Sequence, residues 1–213
     1  MALFQRNPYD NTQHQPLFTL GMNKTVLLVG LGNPGKKFDG TRHNAGFHCL
    51  DAFAKAHEFD PWTDKKDLQC QLASKSLGDT RVILCKPTTF MNLSGEAVQK
   101  VSHFYKIDAG HTVVVHDELD IPFGQIRMRI GGSAAGHNGV ESVIQHLGNE
   151  FGRVRIGIAS EEQGKMDGAD FVLAKFGQEE QTHLNAMARE VTSILTEYIF
   201  KNSLTAETRT FII

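Results

Sequence analysis

The chain has 213 residues, 40% hydrophobic and 22% charged, with a formal net charge of −2 at pH 7. That composition suits a single soluble globular domain with one sizeable core. It excludes a helical membrane protein, because no apolar run approaches the roughly 20 residues needed to cross a bilayer, and it gives no sign of a uniformly basic nucleic-acid binder.

Residues 1–23 are rich in Asn, Gln and Pro and have neither helical nor strand periodicity. They lack the basic start and apolar centre of a secretory signal, and hold too few arginines for an organelle transit peptide. They read as a poorly ordered extension, with the domain proper in 24–213 and a cytoplasmic location expected. Thr25–Leu31 is a continuous, β-branched run, hence a strand buried on both faces. Asn44–His57 carries helical spacing at Phe47, Leu50, Phe53 and Ala54. Leu68–Leu77 and Arg81–Cys85 read as strands joined by a turn at Gly78–Asp79. Leu93–Tyr105 is helical with Val98, Val101 and Phe104 on one side, and Thr112–Val115 is a second buried strand. Gln125–Ile130 alternates Ile126, Met128 and Ile130 with Gln125, Arg127 and Arg129, a strand with one basic face. Asn138–Leu147 is a helix, Val154–Ile158 a strand and Gln178–Phe200 a long amphipathic helix. Strands interleaved with helices predict an α/β fold, a twisted mixed sheet between helices.

The stretch VLLVGLGNPG (26–35) runs a strand into G-x-G-x-x-G, the spacing of a dinucleotide-binding turn. Such a turn needs a helix to begin within the glycines, so that its N–H groups face a pyrophosphate. Pro34 disfavours helix at Asn33, and helical spacing begins only near Asn44. The glycines are therefore better read as a sharp turn presenting Asn33 at the carboxyl edge of the sheet.

Four further polar segments sit at element ends: Thr41–Asn44, Phe90–Gly95, His116–Asp120 and Gly136–Gly139. Asn44, Asn92 and Asn138 could each be helix caps. Together, one histidine, one aspartate and several amides also make a hydrolytic set: a base near pH 7, a carboxylate to orient it, and amides to hold a carbonyl. No G-x-S-x-G elbow or H-E-x-x-H is present, and the three cysteines form no C-x-x-C pair. Neither a serine mechanism nor a metal hydrolase is indicated. Charge is uneven: residues 159–213 hold five Lys/Arg against nine Asp/Glu, whereas 124–158 hold four arginines against Glu141 and Glu150. These arginines are either a solvated strand face or a phosphate-binding one.

VGLGNPG (29–35), TRHNAGF (41–47), KPTTFMNLSGEAV (86–98), HDELDIPFG (116–124), GHNGVESVIQHLG (136–148) and RVRIGI (153–158) resemble, in order, the segments of bacterial-type peptidyl-tRNA hydrolases. The likeness spans roughly residues 24–200. It implies hydrolysis of the ester joining a peptide to the 3′ end of tRNA, by a monomer with no metal or organic cofactor, on one α/β domain. His43 would activate water, Asp117 would orient it, and Asn33 would complete the catalytic set. Phe38, Met91, Asn92 and Asn138 would meet the peptidyl end. Arg127, Arg129, Arg153 and Arg155 suit phosphate binding on the tRNA acceptor stem, and Arg129 and Arg155 fall nearest the family's basic positions. Three departures stand out: Phe38 where the family commonly has Tyr, Ser133-Ala134-Ala135 in a loop that is usually glycine-rich, and acids at 161–162. An RNA-binding module of the same fold without hydrolysis is the alternative.

Overall fold

The computed structural model describes residues 24–211; the proposed extension, 1–23, lies outside them. In chain order the elements are β1 (Lys24–Gly30), α1 (Ala45–Ala56), β2 (Thr63–Lys65), β3 (Cys70–Leu77), β4 (Thr80–Pro87), α2 (Ser94–Tyr105), β5 (Thr112–Pro122), β6 (Gln125–Ile130), α3 (Asn138–Leu147), β7 (Gly152–Ala159), α4 (Gly168–Leu173), α5 (Gln178–Lys201) and β8 (Thr208–Thr210). The strands form one sheet in the order β2-β3-β4-β1-β5-β7-β6-β8. Its centre, β4-β1-β5-β7, is parallel, and both edges are antiparallel.

The sequence dictates this layering through period-2 alternation on buried strands. Val26 and Leu28 join a core with α1 and α5, while Leu27 and Val29 join one with α2 and α3. Each such fully buried aliphatic side chain contributes about 1.5–3 kcal/mol. The β3–β4 hairpin closes on Gly78–Asp79 as the sequence predicts; Gly78 takes φ +58°, which a two-residue turn favours at that position. Gly30 and Gly32 allow close packing against Gly46 and Phe47 of α1, while Gly35 stands in open space at φ +103°. A side chain on Gly46 would collide with the backbone of Leu31 and Val115, so α1 starts directly over the end of β1 and the first half of β5.

Some expectations change. Phe104 is 62% exposed. The stripe facing the sheet runs through Val98, Val101 and Ser102, and at 100° per residue Phe104 falls on its flank. Ile130, at the end of β6, is exposed, although Ile126 and Met128 point inward as the alternation predicts. The strand beginning at Thr112 continues to Pro122, because β7 is long enough to pair with His116, Asp117 and Glu118. The short elements β2, α4 and β8 carry no strong periodicity, and the sequence pattern does not predict them. Among the described residues, no helix is long and apolar enough to cross a membrane.

Candidate active site

Parallel strands β1 and β5 are neighbours, and the chain leaves β1 for β4 on one side of the sheet and reaches β5 on the other. Such a switch point opens a crevice at the carboxyl ends of the strands. Asn33 follows β1 there, Asp117 lies in the extended part of β5, and Met91 and Asn92 follow β4. These residues, with His43, His137 and Asn138, line one cavity of about 650 Å³. Its apolar wall comes from Met91, Leu119, Val172 and Leu173.

His43 sits in a single 3₁₀ turn, Arg42–Asn44, that leads into α1. By strand alternation Asp117 shares the face of Val113 and Val115, the side on which α1 packs. That brings His43 Nδ1 to 2.9 and 3.0 Å from the two oxygens of Asp117. The carboxylate is buried and accepts a second partner, His137 Nε2, at 3.0 Å. Burial alone would raise the Asp117 carboxyl. The histidines, His137 and then His43, outweigh burial and hold it well below the usual carboxylate range.

The two histidines are not equivalent. His137 is the N-cap of α3, and its Nδ1 accepts the backbone N–H groups of Gly139 and Val140 at 3.1 and 3.2 Å. Nδ1 must then be unprotonated and Nε2 must carry the hydrogen it gives to Asp117. Both nitrogens are occupied, so His137 is not available as a base. His43 donates Nδ1–H to Asp117 and keeps Nε2 for a proton from the cavity. The cluster His43, Asp117 and His137 has the composition of a metal site. The cap argues against one: ligation through His137 Nε2 would require turning a protonated Nδ1 into two N–H donors. His116, behind His137, is buried and pushed down to about 3, chiefly by burial and secondarily by His137. It is neutral, with Nδ1 2.7 Å from the Asp117 carbonyl and Nε2 without a partner.

The asparagines divide by role. Asn44 occupies the N-cap position of α1 but makes no capping bond. Its side chain instead clamps the backbone of Asn33, accepting from N–H at 2.8 Å and donating to C=O at 3.0 Å. Asn33 Oδ1 accepts the Met91 N–H at 2.8 Å, which fixes the side chain and leaves its amide N–H groups for a ligand. Asn92 and Asn138 are exposed on the cavity wall. Phe38 is half-buried outside that wall, edge-on to Phe90 with ring centres 6.4 Å apart; Phe90 does line it.

The arginines lie on the sheet at β6 and β7. Arg127 is directly opposite Arg155, and Arg129 opposite Arg153. Arg153 is a correction to the expected set: it is 1% exposed, and its guanidinium donates to the Gly132 and Ser133 carbonyls and to Asn149 Oδ1, all at 2.6 Å. Burial first, then the charges of Arg129 and Arg155, bring it down to about 10. It anchors the loop before His137. Arg127, Arg129 and Arg155 remain half-buried. Among the described residues, Arg155 lies 4.0 Å from Glu118, whose own carboxyl is raised by burial despite that neighbour, and neither Arg127 nor Arg129 has an acid within 4.0 Å. Like charges directly across a ladder destabilise the sheet, so the cluster is better suited to an external anion. In the loop between β6 and α3, Ala135 takes φ +49°, a left-handed conformation that costs a non-glycine residue about 1–2 kcal/mol.

The sequence motifs contain His137, Asn44 and Arg42 but do not show their work. A histidine before a helix in Gly136-His137-Asn138-Gly139 is the available signal for the cap. The wall from α4 has only the Asp167 N-cap, which accepts from Ala169 N–H at 2.9 Å.

A family model described as peptidyl-tRNA hydrolase matches residues 27–212. A curated peptidyl-tRNA hydrolase of Rhodopseudomonas palustris is 44% identical over 166 residues, 78% of this chain and 81% of its own length. One from Levilactobacillus brevis is 41% identical over 81% of this chain and 92% of its length. The crystal structure of peptidyl-tRNA hydrolase from Acinetobacter baumannii superposes with a TM-score of 0.77 at 32% identity, covering 85% of this chain and 92% of that one. The matched span contains every residue of the cavity, and the mixed sheet between helices is shared, so this chain belongs to the peptidyl-tRNA hydrolase family.

Proposed function

We propose that this member of the family hydrolyses peptidyl-tRNA with His43 as the base. The observation that carries the reading is the inequivalence of the two histidines on Asp117: His137 is locked by the α3 N-terminus, while His43 keeps Nε2 for the cavity. Water attacks the ester carbonyl as His43 Nε2 takes its proton. Asp117 holds the correct tautomer and stabilises the imidazolium that forms. The carbonyl oxygen becomes an oxyanion, met by amide N–H groups of Asn33, with Asn92 and Asn138 holding the peptidyl backbone. The C–O bond to the ribose then breaks, and the imidazolium returns its proton to the leaving 3′ oxygen. Products are free tRNA and a peptide carboxylic acid, which gives its proton to water to become the carboxylate.

The apolar wall of Met91, Leu119, Val172 and Leu173 would take side chains of the peptide, while Phe90 and Phe38 would flank the mouth. Arg127, Arg129 and Arg155 would meet acceptor-stem phosphates, since duplex RNA is recognised by its backbone and shape.

The test is release of labelled peptide from N-acetyl-aminoacyl-tRNA in EDTA, wild type beside His43→Ala. Turnover should survive chelation and fall about 10²–10⁴-fold in the variant, with binding of a non-hydrolysable analogue retained. Turnover preserved with weakened binding would make His43 a tRNA-binding residue instead.

A further inference from the structure

Arg42 immediately precedes His43 and is 1% exposed, among the largest fully buried side chains of the protein. Nothing in the reaction above needs it, yet it meets three segments far away in sequence. Its Nη1 donates to the Lys175 carbonyl at 2.6 Å and its Nη2 to Glu180 at 2.7 Å, with Glu162 at 3.4 Å. The guanidinium carbon lies 4.2 Å over the Phe171 ring. The main chain adds to this: Arg42 N–H donates to the Ala174 carbonyl at 3.0 Å, and Thr41 forms a β-bridge with Lys175.

Phe171 is the inward residue of α4, whose Gly168, Ala169, Val172 and Leu173 line the cavity. Arg42 therefore grips the back of the helix whose front lines the substrate cavity, while its own backbone leads straight into His43. Glu180 also accepts the Gly177 N–H at the start of α5, so the grip is fixed to the long helix as well.

Simple stabilisation is a poor account of this arrangement. A buried ion pair often contributes no more than well-packed apolar residues would, and this one leaves Arg42 Nε and Glu180 Oε1 buried without partners. What a planar guanidinium provides is direction: several donors held in one fork, with a flat face for stacking.

We propose that Arg42 is a positioning residue for hydrolysis, setting the distance between the α4 wall and the base at His43. The proposal rests on His43 being that base. It predicts that loosening Arg42 separates two effects. Moving the wall raises KM, and moving His43 relative to the bound ester lowers kcat, because displacements near 1 Å can cost about 10²-fold.

The experiment measures kcat and KM on N-acetyl-aminoacyl-tRNA for wild type, Arg42→Lys, Phe171→Leu and His43→Ala, each normalised to its folded fraction by circular dichroism. Arg42→Lys keeps the charge but loses the fork and the stacking plane. It is expected to raise KM and lower kcat, each by about tenfold. Phe171→Leu keeps the ion pair, removes the ring, and should shift KM in the same direction by less. A purely structural Arg42 would lower melting temperature while leaving both constants per folded molecule at wild-type values, and that result would overturn the proposal. Should Arg42→Lys fail to fold, Phe171→Leu and Glu180→Gln decide it by the same criterion. Wild-type constants in Arg42→Lys beside a dead His43→Ala reject the positioning role alone. An active His43→Ala rejects the mechanism beneath it.

Discussion

Asp117 accepts from two histidines at once, and what distinguishes them is a helix end. Two backbone N–H groups aimed at Nδ1 decide the tautomer of His137, and that decides which ring can work as a base. His116 extends the same cluster into the core. Its folded-state value, about 3, lies below the ordinary 6.5. The unfolded chain therefore binds a proton across that window that the folded chain refuses. Stability should fall as pH is lowered from about 6.5, by up to about 1.4 kcal/mol per pH unit from this residue. Urea unfolding of wild type and His116→Gln between pH 7 and 4 tests this. The variant should show the shallower decline, and parallel curves would mean that His116 already takes up a proton in the folded protein.

At the scale of elements, the site depends on how closely α2 and α3 cross. Gly95 N–H donates to Ser142 Oγ at 3.0 Å, and a side chain on Gly95 would strike the Ser142 carbonyl. The crossing keeps the Met91–Asn92 turn, at the start of α2, beside His137 and Asn138, at the start of α3. Gly95→Ala should cost about 1–3 kcal/mol through overpacking and should raise KM by shifting Met91 and Asn92 along the cavity. Thermal unfolding and Michaelis constants read the two effects separately; a stable variant with unchanged KM would show that the helices can part without disturbing the wall. These elements are largely legible in the sequence. Strands of β-branched residues and helices with 3.6-residue spacing bury one or both faces, and burial leaves a periodic trace. The part of β5 from His116 onward leaves none. His116, Asp117 and Glu118 resemble a loop, and they are buried because their backbone pairs with β7 while Asp117 meets His43 and His137 and Glu118 meets Arg155.

For the whole molecule the central issue is charge. A chain with net charge −2 must meet a polyanion through a local surface, and we propose Arg127, Arg129 and Arg155 on β6 and β7 as that surface. Arg129→Ala and Arg155→Ala should each weaken tRNA binding and reduce the slope of log K against log salt by about 0.7–0.9 for every phosphate no longer neutralised. A titration series from low to moderate salt measures this. Unchanged slopes in both variants would remove this face from the tRNA-binding surface.

What the sequence determined by itself was the α/β layering, most element positions, and the resemblance that brings Asn33, His43, Asp117, Met91, Asn92 and Asn138 forward as site residues. Alternating burial and six ordered motifs are local or collinear signals, readable along one dimension. Tertiary structure alone decided the division of labour. Asn44 clamps Asn33 rather than capping α1, Arg153 is buried under a loop rather than facing RNA, and His137 is locked while His43 is not. In each case the same residue type could do either job. For Asn44 and Arg153 the choice falls to the backbone groups that the fold brings within about 3 Å from another segment; His137 is capped locally by Gly139 and Val140, but only the fold sets its Nε2 and His43 Nδ1 on the same Asp117, and no spacing in the sequence encodes those distances.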